Sequence, residues 1–204
     1  MTEIINQNKT SLASEQEEQK KRIVKIILER IQMYNKELTS YIGQEAFNFL
    51  DNGMRMLLLT SILLQKIFRT LSTDVKQEDL KPIDLDVIAD DYSFIAFPAA
   101  KAFEGYLKKL LIKLRLIKKS ELKKDPFKTI GYLLNSEKFE KKVRDKRFRH
   151  IPKEVQVEWD KSRNYILHYD IDKIPKISKE DTDVRISAIL KIIKESYNAF
   201  CGKQ

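Results

Sequence analysis

Two histidines, His150 and His168, are the side chains in this sequence whose ordinary pKa lies near neutrality. An imidazole with an unperturbed pKa of ~6.5 both takes and gives a proton, which cleavage of RNA by its own ribose 2′-hydroxyl requires. His168 stands in SRNYILHYD, with Asn164 four residues before it and Arg163 five. On a helix, Asn164 and His168 share a face, so the amide can fix the orientation and tautomer of the imidazole. Arg163 is displaced by about 140° around the axis and ~7.5 Å along it, so Arg163 and His168 flank a groove rather than pair directly. That arrangement suits a phosphodiester, with the guanidinium on phosphate oxygens and the imidazole handling the proton.

Arg144, Asp145 and His150 make a second, looser match to the same spacing. Pro152 follows at once and the segment is crowded with charge, so His150 reads as a surface or RNA-facing residue. The run Lys138, Lys141, Lys142, Arg144, Lys146, Arg147 and Arg149 is relieved only by Glu140 and Asp145. It reads either as a track for phosphates, chiefly through Arg144, Lys146, Arg147 and Arg149, or as a solvated charged helix. Glycine-rich phosphate loops, a nucleophile elbow and the paired-His or Cys/His spacing of a metal site are absent, so no metal and no cofactor is expected.

The elements that must position these groups read as helices throughout. Only 5 Gly and 5 Pro interrupt a chain of 204 residues rich in Leu, Ile, Lys and Glu. Helical periodicity runs from Gln16 to about Tyr34. It resumes from Gln44 to Leu71, apolar on most of its circumference and bent at Gly53, which predicts a central helix. LSTDVKQEDLKPIDLD reads as a connection and Asp86–Ile95 as a short helical piece, with Pro98 in the first turn of the next helix. Asp125 and Pro126 start a short apolar segment, SEKFEKKVRDKRFRH continues as a basic helix, Lys153 to Tyr169 carries the histidine motif, and Asp181–Phe200 closes the chain. The expectation is an all-α bundle of about six helices, with residues 1–14 a flexible leader and 15–204 a single domain. Trp159 and Tyr165, set among Val155, Ile166 and Leu167, read as core rather than as base-stacking platforms.

Lys+Arg 39 against Asp+Glu 30 leaves a net charge of +9, which raises the local concentration of a polyanion. The single Cys201 rules out an intramolecular disulfide and fits a reducing cytoplasm. The most apolar stretch, Met56–Gln65, falls short of the ~20 residues needed to span a bilayer, so no membrane partner is expected.

The signature of Arg163, Asn164 and His168 resembles that of HEPN ribonucleases, helical proteins found among bacterial toxins and CRISPR-associated nucleases. FPAAKAFEGYLKKL, IGYLL and WDKSRNYILHYD, taken together over roughly residues 90–200, are similar to the C-terminal HEPN domain of RNase LS-type toxins. The resemblance implies a metal-independent endoribonuclease that leaves cyclic phosphate ends. It further implies a homodimer with the two motifs facing each other, and an antitoxin partner. It also implies an acidic residue on an earlier helix, and Glu104 falls at that place, although a glutamate in the first turns of a helix also compensates the helix dipole. The chain departs from the family in its length, too short for the additional N-terminal domains. Asp170 also stands where nucleotidyltransferase-paired relatives carry Tyr. Spacing alone would arise by chance roughly 0.3 times in a chain of this composition, so the flanking sequence carries the resemblance. The alternative reading is a non-catalytic HEPN-like antitoxin or adaptor that binds RNA or protein. A DNA-binding regulator ranks last, because no helix-turn-helix is recognisable.

Overall fold

The computed structural model describes residues 2–73, 91–122, 126–143, 145–162 and 176–202. Among these the chain is all-helical, without a strand: α1 (Thr2–Ile42), α2 (Gln44–Phe49), α3 (Asn52–Thr73), α4 (Ser93–Lys113), α5 (Pro126–Leu134), α6 (Glu137–Glu140), a 3-10 turn (Lys146–Phe148), α7 (Ile151–Ser162) and α8 (Lys179–Cys201). No helix among the described residues is long and apolar enough to cross a membrane.

The chain divides into two compact units, Met1–Glu37 and Leu38–Gln204. The first unit belongs to α1, which is helical from Thr2. Its described side chains include exposed apolar residues such as Ile23, Val24 and Leu28, and Arg22 pairs with Glu18 one turn away at 2.7 Å.

In the second unit α4 is the central helix, packed against α3 and α8; α7 lies on α8, and α5 on α7. The apolar circumference of α3 predicts that position for α3 instead, yet Met56, Leu63 and Ile67 on it are exposed. Side-chain size explains the difference. Ala96, Ala99, Ala100 and Ala102 on α4 are all but fully buried, and such small residues let neighbouring helices approach closely while Phe103, Tyr106, Leu107, Leu110 and Leu111 fill the core. Gly105 is part of the same fit, since a Cβ there would meet the Met54 Cε at 3.1 Å.

The long helix read from Gln44 to Leu71 is two helices. Leu50 is extended (ψ 145°), and the Asp51 carboxylate accepts the Met54 N–H at 2.9 Å, an N-cap that starts α3 anew. The break therefore falls before Gly53. Pro98 sits inside α4 rather than in its first turn. A proline there removes one helical hydrogen bond and crowds the preceding turn, and the Ala99 N–H that follows donates to the buried Ser61 Oγ of α3 at 2.9 Å. Ser61→Ala is expected to lower stability by about 1–3 kcal/mol, the cost of leaving a buried donor without its acceptor, as read from urea unfolding. A loss below ~0.5 kcal/mol would show that the Ala99 N–H has another outlet.

The entry to α4 is tied to the entry to α8. Asp91 accepts from the Ser93 N–H and Oγ and from the Ile177 N–H, while the Tyr92 N–H donates to the Ile177 carbonyl. Burial opposes ionisation of Asp91, and these hydrogen bonds outweigh it, holding its carboxyl below the usual range. Ser178 caps α8 by accepting the Asp181 N–H at 3.0 Å. Further along, Asp183 of α8 accepts from the Gln65 side-chain amide at Oδ1 and from Nε and Nη2 of Arg69 at Oδ2, both donors coming from α3. The Tyr106 hydroxyl lies 2.7 Å from the Ser196 Oγ in the core.

Candidate functional site

Arg163, Asn164, His168 and Arg144 lie outside the described residues. Helix α7 leads up to the first of them: it ends at the buried Ser162, whose hydroxyl donates to the Glu158 Oε1 at 3.1 Å.

Glu104 is described, and it sits 3% exposed on α4. Lys101 Nζ reaches its Oε2 at 3.0 Å, and Lys108 Nζ its Oε1 at 2.5 Å. Desolvation raises its pKa, but the two ammonium groups win and hold the carboxyl below the ordinary glutamate value. A carboxylate so held stays ionised at neutral pH and is ill suited to donate a proton. Its folded pKa is depressed, so its stabilising contribution is present above the unfolded value and lost as pH falls through the folded one. Glu104→Gln is therefore expected to destabilise by about 1–3 kcal/mol at pH 7, the lysines being partly exposed, and by much less at pH 3. Equal losses at both pH values would show that charge plays no part.

The basic run does not form the helix read from its sequence. Ser136 caps the short α6 by accepting the Phe139 N–H. The chain then turns, and Asp145 caps the 3-10 turn while binding Arg147 through Nε at 2.9 Å and Nη2 at 2.6 Å. That pair, between a well-exposed guanidinium and its carboxylate, lowers the Asp145 pKa and raises that of Arg147. Clustered like charges every one or two residues disfavour a helix, whereas an Asp two residues before an Arg suits a turn.

The turns send the run in two directions. Arg147 and Lys142 face a hollow of about 860 Å³ beside Lys113, Arg115 and the end of α8. Arg115 closes α4 in the left-handed conformation (φ 57°), with the Leu116 N–H on the Leu111 carbonyl. Arg149 and His150 face a different cleft, of about 870 Å³, between α7 and α8. Lys146 is exposed and lines neither.

The α7–α8 cleft brings together groups that sequence reading left apart. His150 stands at the head of α7, where its carbonyl accepts the first helical bond from the Glu154 N–H. Glu154 and Glu158 follow at four-residue intervals, and Lys191, Ile192 and Glu195 of α8 line the opposite wall. Glu158 is 7% exposed, and burial pushes its carboxyl up despite the Ser162 hydroxyl and the charges of Arg185 and Lys161. The Glu195 Oε2 is buried without a hydrogen bond, 3.8 Å from the Lys191 ammonium. The i, i+4 spacing of His150, Glu154 and Glu158 is visible in the sequence. The facing carboxylate from α8 is visible only in three dimensions.

Comparison with known protein families, with curated proteins and with solved structures finds no match to the chain.

Proposed function

We propose that the chain is a metal-independent endoribonuclease of the HEPN type, a toxin or phage-defence nuclease acting in the cytoplasm. In this reading His168 exchanges a proton with the 2′-hydroxyl or the leaving oxygen, Asn164 orients it, and Arg163 stabilises the charged phosphate. The observation that carries the reading is the set Arg163/Asn164/His168 within its flanking sequence, immediately downstream of a packed helix, α7. The all-α bundle is compatible with it. Arg149 and the exposed Lys146 and Arg147 add positive charge upstream, and Arg144 belongs to the same run. A homodimer and an antitoxin partner complete the proposal on the strength of the resemblance alone. The test is cleavage of RNA with EDTA present, comparing wild type with His168→Ala and Arg163→Ala; unchanged cleavage in both variants sinks the assignment.

One observation favours the second reading, a non-catalytic binding module. Both oxygens of Glu104, the acidic residue that the resemblance makes part of the site, are engaged by lysines of its own helix. Glu104 then serves to hold α4 and its basic surface in place, and a folded wild type that binds RNA without cutting it would support the module.

A further inference from the structure

We propose that the cleft between α7 and α8 binds a guanine nucleotide, holding its 5′-phosphate at the Arg149–His150–Lys153 end and the pairing edge of the base at the Glu158–Glu195 end. The proposal stands apart from the reading of Arg163 and His168 and does not depend on RNA cleavage.

Size is the first argument: about 870 Å³ lies within the range of small-molecule sites and exceeds what a bare ion needs. The second is polarity along the cleft. Arg149, His150 and Lys153 outnumber the adjacent Glu154 at the head of α7, where the helix dipole also favours an anion. The far end holds carboxyl groups from both walls, Glu158 on α7 and Glu195 on α8. From His150 to Glu158 the helix rises by roughly 12 Å, comparable to the reach of a nucleotide from its phosphate to its pairing edge. The third is the wall between. Val157 of α7 and Ile192 of α8 present apolar surface on opposite sides, which suits the two faces of a flat ring.

The carboxyl end selects the base. Glu158 has one oxygen on the Ser162 hydroxyl, and the Glu195 Oε2 is buried without a donor. A buried acceptor without a donor, the Glu195 Oε2, beside the second Glu158 oxygen favours a ligand that brings N–H groups. Guanine presents two adjacent donors, N1–H and the 2-amino group, on its pairing edge; adenine presents only its amino group there. Lys191, 3.8 Å from Glu195, keeps a negative charge tolerable at that end without satisfying it.

The test is isothermal titration of the full chain with GMP, AMP and ribose 5-phosphate as probes. GMP is expected to bind at least about tenfold tighter than AMP, the discrimination of one good bidentate pair, with ribose 5-phosphate weaker than both. Glu158→Gln retains an acceptor for Ser162 and replaces the other oxygen by a donor. It should bring GMP down to the level of AMP while leaving AMP unchanged. Arg149→Ala should weaken both nucleotides about tenfold. Because Glu158→Gln removes a buried ionisable group, its thermal midpoint at pH 7 should equal or exceed that of wild type, so a lost preference cannot be ascribed to misfolding. Equal binding of GMP and AMP by wild type, ribose 5-phosphate binding as tightly as GMP, or no GMP binding at millimolar concentration each overturns the proposal. So does a preference that survives Glu158→Gln.

Discussion

His168→Ala is expected to reduce RNA cleavage about 10²- to 10⁴-fold, with the protein still folded and RNA binding nearly intact. The reason is the scarcity of alternatives: a neutral-pH proton transfer needs a group that titrates there, and the chain carries only two imidazoles. On the proposed reading, Arg163→Ala should cost about 10²- to 10³-fold, through loss of a cation that stabilises the charge developing on the phosphate. Both losses should appear in kcat rather than KM if the groups act mainly in the transition state. EDTA should leave the wild-type rate unchanged. His150→Ala separates the two histidines. Loss of cleavage in that variant, with His168→Ala unaffected, would move the chemistry to the α7–α8 cleft, which His150 lines together with Glu154, Glu158 and Glu195.

Trp159→Ala is expected to be among the most damaging core substitutions, at about 3–5 kcal/mol, or a fall in Tm on the order of 10 °C for a chain of this size. Trp159 lies 1% exposed on α7, and its indole approaches α5 at Gly131, where a Cβ would stand 3.6 Å from the Nε1. Removing the ring opens a cavity between α5 and α7, the helix that leads into the Arg163 segment. The indole N–H has no partner among the described residues, so part of the ring's contribution is offset by an unsatisfied donor. Trp159→Phe should accordingly cost less than half as much as Trp159→Ala. Gly131→Ala should stabilise by about 0.5–1 kcal/mol, because 3.6 Å is ordinary contact and alanine is the better helix former. Chemical unfolding of the three variants tests the account, and a Trp159→Ala loss under ~1 kcal/mol would refute the packing role.

Local interactions made much of the fold legible. The start of α5 at Pro126 and the helix closing the chain both follow from caps and periodicity, which act within a few residues. The same approach misplaced Pro98, because a proline looks like a helix start to its neighbours in sequence, while Ser61 on α3 supplies the acceptor that lets α4 run through it. It joined α2 to α3, since the apolar pattern continues across Asp51 and only the cap at that residue shows the break. It read a basic helix where Asp145 folds the chain into a turn around Arg147.

The sequence by itself determined that this chain is all-helical and basic, and it supplies the Arg163, Asn164 and His168 spacing on which the proposed function rests. Helical periodicity and side-chain type are properties of neighbouring residues, so no third dimension is needed to read them. Tertiary structure alone decided which helix is central and which charges meet. Alanine-rich α4 took the place expected for α3 because small side chains allow close packing on two sides. The carboxyl groups of Glu158 and Glu195, 37 positions apart in sequence, came to line one cleft because α7 packs on α8, which no local pattern encodes.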